Sequence, residues 1–248
     1  MNPELYDMIY KRKSFHIFKD TDTIDDGELE KIRRVFRTLE PLDGSIRVDL
    51  EIIPGEKTTC SRGQEYCILL FSEEKENYLQ NIGYIGQQLD LYLASRNIGA
   101  LWFGIGKTEQ KAPAGMKMVI MIAIAKVSEG SFRKDMFKSK RKPLEEIWAG
   151  QPHREIGNVV RFAPSACNTQ PWFVKSSAEI LEVYRYKKPG KRGIMPAQRV
   201  TYYNRVDMGI FLLFLELCLT HEGICFERTI CPDTGDEERT KTAVYRLL

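Results

Sequence analysis

The chain runs through one order of elements twice, and this repetition limits its fold more than any single segment does. Residues 3–11 read as a short helix with Leu5, Met8 and Ile9 on one face. Residues 25–37 read as another, capped by Asp25 or Asp26 and turning Leu29, Ile32, Val35 and Phe36 inward. Strand-like segments follow at 47–54 and 65–72. A long helix over 80–98 repeats Ile82, Ile85, Leu89, Tyr92 and Leu93 at helical spacing. Strands at 100–103 and 118–127 come next, the latter apolar enough for the middle of a sheet. After a linker at Gly150-Gln151-Pro152, the order returns: a helix at 153–162, strands at 172–175 and 180–186, a long helix at 205–221, and strands near 224–229 and 242–247. Setting Gly99 over Gly223 aligns Leu89, Leu91 and Leu93 with Leu213, Leu215 and Leu217. The spacing predicts two related halves, 1–150 and 151–248.

Composition narrows the class. With 248 residues the chain can bury a substantial core, and 43% hydrophobic with 29% charged residues is ordinary for a water-soluble protein. A net charge of +3 is too small to argue for nucleic acid, yet it does not repel an anionic ligand. Basic residues cluster at 133–142 and 187–192, without a nucleic-acid-binding motif beside them. No apolar run reaches membrane-spanning length, since Glu216 interrupts the longest, 210–219. Cys60, Cys67, Cys167, Cys218, Cys225 and Cys231 form no Cys-x-x-Cys pair, and His16, His153 and His221 lie far apart. These features predict a cytoplasmic protein without disulfides, a metal site, a membrane segment or a nucleic-acid partner.

Four short segments carry the chemistry. Ala163-Pro164-Ser165-Ala166-Cys167-Asn168-Thr169-Gln170-Pro171-Trp172 stops a helix and re-aims the chain, because both prolines lack a backbone donor and bias the residue before them away from helix. Between them, Ser165, Asn168, Thr169 and Gln170 offer hydroxyl and amide groups to a planar polar ligand. Arg12-Lys13-Ser14-Phe15-His16-Ile17-Phe18 sets a guanidinium fork and a hydroxyl two residues apart, a pairing suited to phosphate. Gly99-Ala100-Leu101-Trp102-Phe103-Gly104-Ile105-Gly106 leaves a helix and enters a strand; Gly99 reads as the helix C-cap, and Gly104 and Gly106 as places where backbone could approach a flat ligand. Lys140-Arg141-Lys142-Pro143-Leu144-Glu145-Glu146-Ile147 is a basic run that counts only beside the others.

Together these segments resemble the FMN-dependent nitroreductases. The first is similar to that family's Ala-Pro-Ser-x-x-Asn-x-Gln-Pro-Trp segment. The second is similar to its N-terminal Arg-Ser element, with His16 where Arg or Lys is usual. The resemblance implies an α+β fold: a nitroreductase-like sandwich with a mixed, mostly antiparallel sheet and flanking helices. It implies phosphate held by Arg12, Ser14 and Arg141, with Lys13, His16 and Lys140 as further contacts. Ser165 and Asn168 would flank the ribityl chain and pyrimidine edge, with Pro164 and Ala166 packed on the ring and Gln170 as a polar contact. Gly104, Ile105 and Gly106 would present backbone at the flavin edge, while Trp172 anchors the turn in the core. No catalytic side chain is expected, since the flavin carries the chemistry. NAD(P)H would be the co-substrate and a small nitroaromatic, quinone or related molecule the acceptor. The alternative is a flavin-binding or redox-sensing protein without turnover.

Family members pair these elements across a homodimer, whereas here the Arg-Ser element lies in one half and the Pro-Ser turn in the other. The resemblance therefore implies a tandem pseudo-dimer. Residues 37–43, the counterpart of the turn, read Arg-Thr-Leu-Glu-Pro-Leu-Asp and lack its Pro-Ser-x-x-Asn pattern. One FMN per chain is expected, in a monomer, with a further homodimer as the alternative.

Overall fold

The computed structural model describes residues 4–186, 193–233, 235 and 238–248; the basic cluster at 187–192 lies outside them. The first half opens with α1 (Glu4–Lys11) and α2 (Asp26–Phe36), the latter capped by Asp25, whose side chain accepts from the Glu28 N–H. Then follow β1 (Val48–Pro54), β2 (Tyr66–Ser72), α3 (Tyr78–Ser95), β3 (Ile98–Phe103) and β4 (Lys117–Lys126). A short α4 (Leu144–Ile147) and β5 (Trp148–Ala149) lead into α5 (Arg154–Val160), β6 (Trp172–Ser176), β7 (Ile180–Tyr186), α6 (Val200–His221), β8 (Phe226–Ile230) and β9 (Arg239–Leu247).

The strands form two sheets, ordered β1-β2-β4-β3 and β5-β6-β7-β9-β8. All pairings are antiparallel except β5 with β6. Strand β4 lies inside the first sheet, as its apolar run predicts. Its two faces serve different cores: Ile120, Ile122 and Ile124 join the main core with the long helices, while Met121, Ala123 and Ala125 join a smaller one with Phe15, Phe18 and Phe132.

Helices α3 and α6 cross backbone against backbone. A Cβ on Gly83 would stand 2.0 Å from the Val206 carbonyl oxygen, and one on Gly209 would stand 1.9 Å from that of Gln80. The contact is reciprocal: the same shift in sequence carries Gly83 to Gly209 and Gln80 to Val206. Such exchange is what a two-fold axis produces at a self-complementary interface.

The helix ends correct one expectation. Gly99 is not the cap of α3, but sits inside β3, where a Cβ would come 2.9 Å from the Phe15 ring. Asn97 makes the left-handed turn instead (φ 57°), as Gly223 does after α6 (φ 70°). Placing Asn97 over Gly223 moves the leucine alignment two residues along, so that Leu89, Leu91 and Leu93 fall on Leu215, Leu217 and Leu219.

Candidate functional site

The first wall of the site is an arm laid along β3. The Phe15 N–H donates to Ala100 O at 3.0 Å, and Ser14 bridges Ala100 in parallel register. The Phe132 ring meets Phe15 edge-on at 5.2 Å, and the Arg133 N–H donates to Lys11 O at 3.0 Å, which brings Arg133 beside Arg12. Arg12 is buried, with Nε donating to Asp90 Oδ2 at 2.9 Å and Nη2 to Ser14 Oγ at 3.1 Å. Trp102 Nε1 donates to the same Asp90 oxygen at 2.9 Å.

Asp90 compensates Arg12, but among the described residues Arg133 and Arg141 have no such carboxylate. Among the described residues Arg133 makes no ion pair, and burial followed by repulsion from Arg12 pushes its pKa down to about 10. Arg141 is pushed to about 10 by burial, then by Arg133, Arg12 and Arg161. Its Nη1 donates to Asn168 Oδ1 at 3.1 Å and its Nη2 to Phe162 O at 3.2 Å, while its Nε is buried without a partner. Mutually repelling guanidiniums with spare donors suit a bound anion, whose charge would relieve the repulsion.

The opposite wall is the turn at 163–172. Cys167, Asn168 and Gln170 all adopt left-handed backbone (φ 49°, 56° and 49°), which costs of order 1 kcal/mol or more for each non-glycine residue. Hydrogen bonds hold the turn there. Ser165 Oγ accepts from the Gln170 N–H at 2.9 Å, Asp207 Oδ1 from the Ala166 N–H at 2.9 Å, and Gln170 Oε1 from the Lys142 N–H at 2.8 Å. Trp172 is fully buried and stacks on Phe211 at 4.9 Å, the anchoring position its sequence context predicts.

Between these walls lies a cavity of about 240 Å³. Leu101, Ile120, Val206 and Ile210 give it an apolar floor, and the exposed Arg62, Ile105 and Ile194 stand at its mouth. Of the residues singled out in the sequence, Ser14, His16, Gly104, Ile105, Pro164, Ser165 and Ala166 line it. Arg12 and Arg141 stand in the guanidinium cluster, which joins the cavity through Ser14. Lys13, Gly106, Lys140, Asn168 and Gln170 do not line the cavity. The Lys13 Nζ lies over the Phe15 ring, Lys140 O accepts from Arg141 and Asn168, and Gln170 is buried against Lys142.

The glycines differ from expectation too. The space beside Gly104 belongs to Tyr203, whose ring a Cβ would approach to 2.5 Å and whose hydroxyl donates to Gly104 O at 2.7 Å. The space beside Gly106 belongs to Met121.

Sequence reasoning missed Arg62, Arg133, Tyr203, Val206, Asp207 and Ile210. One signal was available: a carboxylate between Val206 and Met208, inside an apolar helical run, is out of place unless something needs it. Asp207 is buried, its Oδ2 has no partner, and burial pushes its pKa well above the ordinary carboxyl range.

Two sheets about a crossed helix pair, with an Arg-Ser arm facing a strained Pro-Ser turn, define a nitroreductase-like α+β protein. The family model described as "Putative TM nitroreductase" matches residues 4–219, and the chain belongs to that family. A crystal structure of a "putative nitroreductase" from Thermotoga maritima superposes with a TM-score of 0.62 at 18% identity, covering 100% of this chain and 94% of that one. A "putative nitroreductase in complex with FMN" from Desulfovibrio desulfuricans is 21% identical, covering 61% of this chain and 98% of its own, with a TM-score of 0.44. A "Putative NADH Oxidase" from Clostridium acetobutylicum is 15% identical over 56% and 96%, with a TM-score of 0.45. No curated protein matches the chain. Among the described residues no helix is long and apolar enough to cross a membrane.

Proposed function

We propose that this protein is an FMN-dependent NAD(P)H oxidoreductase that reduces a small nitroaromatic, quinone or related acceptor. The observation that carries the reading is the joining of an apolar slot to guanidiniums lacking counter-charge. This combination fits a flat heterocycle ending in a phosphate. Arg133, Arg141 and the Arg12–Ser14 pair would hold the phosphate. Pro164, Val206 and Ile210 would exclude water from the ring, and the backbone at Gly104 and Ile105 would offer N–H donors at its edge. Bound FMN would supply the two-electron relay, taking hydride from NAD(P)H and passing it to the acceptor. An exposed mouth suits a ping-pong order, in which NAD(P)H and the acceptor enter in turn.

We also propose that the chain is a single-chain counterpart of the family dimer, monomeric, with one FMN. The reciprocal Gly83 and Gly209 contacts and the matching turns at Asn97 and Gly223 support this reading. Six free cysteines suit the cytoplasm.

A visible spectrum of protein titrated with FMN tests the assignment, followed by anaerobic NAD(P)H. One FMN per chain is expected, with bleaching on reduction and recovery when a nitroaromatic is added. Two flavins per chain would overturn the single-site reading. A bound flavin that stays oxidised would favour a sensor over an enzyme.

A further inference from the structure

Asp207 lines the cavity from α6 with only 3% of its surface exposed. One carboxyl oxygen is engaged, Oδ1 accepting from the Ala166 N–H, and the other, Oδ2, has no partner. An unpartnered oxygen this deep costs free energy unless something reaches it.

Among the described residues no neighbouring group meets it as a counter-charge. On its own helix, Tyr203 gives its hydroxyl to Gly104 O, and the Arg205 guanidinium turns to Asp233. On α3, Tyr84 donates to Glu216, and Asp90 is held by Arg12. On α5, Arg154 pairs with Glu145, and Glu155 is exposed. Cys167 on the turn, and His16 and Arg62 at the mouth, are exposed and make no hydrogen bond to Asp207. Among the described residues the Ala166 N–H is therefore the one polar contact of this side chain.

We propose that Asp207 is carried as the neutral acid and donates its Oδ2–H into the cavity, to a carbonyl oxygen or ring nitrogen of the bound flavin. This rests on the flavin reading above. The acid satisfies both oxygens: Oδ1 keeps the Pro-Ser turn in place, and Oδ2–H reads an acceptor edge on the ligand. Burial favours the same protonation state, since it disfavours charge on a carboxyl with no cation to face. Asp207 thus selects heterocycles that present an acceptor at this depth over apolar rings of equal size.

The test compares FMN affinity of the wild-type protein with that of Asp207→Asn, which keeps an acceptor for Ala166 and a donor toward the cavity but cannot ionise. Their ratio removes every titration that the two proteins share, that of the FMN phosphate included. If the ligand requires the protonated acid, the wild-type affinity relative to the variant holds at low pH. It then falls by up to about tenfold per pH unit above the pKa of Asp207 in the free protein. Infrared difference spectra of wild type against the variant should show the carbonyl stretch of a protonated carboxylic acid, and FMN should lower its frequency. If the variant does not fold, the response of that band to FMN in the wild-type protein decides the matter alone. FMN uptake with no such band, or with a band whose frequency FMN leaves unchanged, would overturn the donor role. Failure of the wild-type protein to take up FMN would overturn the functional reading and this donor role with it.

Discussion

The two sides of the α3–α6 crossing carry the same kinds of polar anchor around different interiors. On the cavity side, Asp207 of α6 accepts from a loop N–H at Ala166, and Asp90 of α3 takes Arg12 and Trp102. On the other side, Asn81 of α3 accepts from a loop N–H at Asp43 at 3.1 Å. There Glu216 of α6 takes Arg228, Tyr84 and Tyr245, each at 2.7 Å. Arg228 also donates to the carbonyl of Leu42, a buried residue, which ties that loop to the core. Each loop thus has its own anchor on the helix pair, whatever space lies beside it.

The sharpest way to break this comparison is at the crossing itself. Gly83→Ala and Gly209→Ala should each destabilise the fold by roughly 3 kcal/mol or more, because either methyl meets a backbone oxygen that cannot rotate away. Urea denaturation of the two variants checks it, and a large cost at only one position would break the reciprocity.

The buried acids come next. Glu216→Gln should cost about 3 kcal/mol by weakening the pairing of Arg228 and two tyrosine hydroxyls, while FMN affinity stays as in wild type. Asp90→Asn should cost a similar amount and change FMN affinity as well, since it releases Arg12 beside Ser14. Calorimetric titration alongside thermal melting separates the pair; equal effects on FMN would show that the two sides are not functionally distinct.

The smallest effect on the fold belongs to Arg133→Ala. Its side chain makes no ion pair among the described residues, so unfolding free energy should change by no more than about 0.5 kcal/mol. FMN affinity should fall by about 10- to 100-fold, the range of a lost hydrogen bond between charged groups. Unchanged affinity at low salt would remove Arg133 from the anion site.

Most of the scaffold is legible in the sequence because each element follows from local spacing. The boundaries that moved did so for stated reasons. Helix α3 ends at Ser95 because Asn97 takes the left-handed turn, leaving Gly99 free to back onto Phe15 inside β3. Helix α6 begins at Val200, ahead of the expected start, where the Tyr202 hydroxyl donates to Val119 O and the Tyr203 hydroxyl to Gly104 O, tying its first turn to the first sheet. The site was half legible. Ser14 and the residues 164–166 line the cavity, since their motifs fix local backbone. The rest depends on distant packing. Arg133 reads as one member of a solvated basic run until Phe132 meets Phe15 and sets it beside Arg12. Gly106 reads as room for a ligand until Met121 occupies that room, while Gly104 lines the cavity with the Tyr203 ring packed against it.

The crossing of α3 and α6 has a consequence in mass action. Separate subunits that share a cavity part company below their dissociation constant, and the cavity parts with them. Here the turn through Gly150 (φ 100°) and the β5–β6 pairing tie both contributors into one chain, where a short tether holds an effective concentration on the order of millimolar. Dilution alone therefore does not part the two walls, since both belong to one chain.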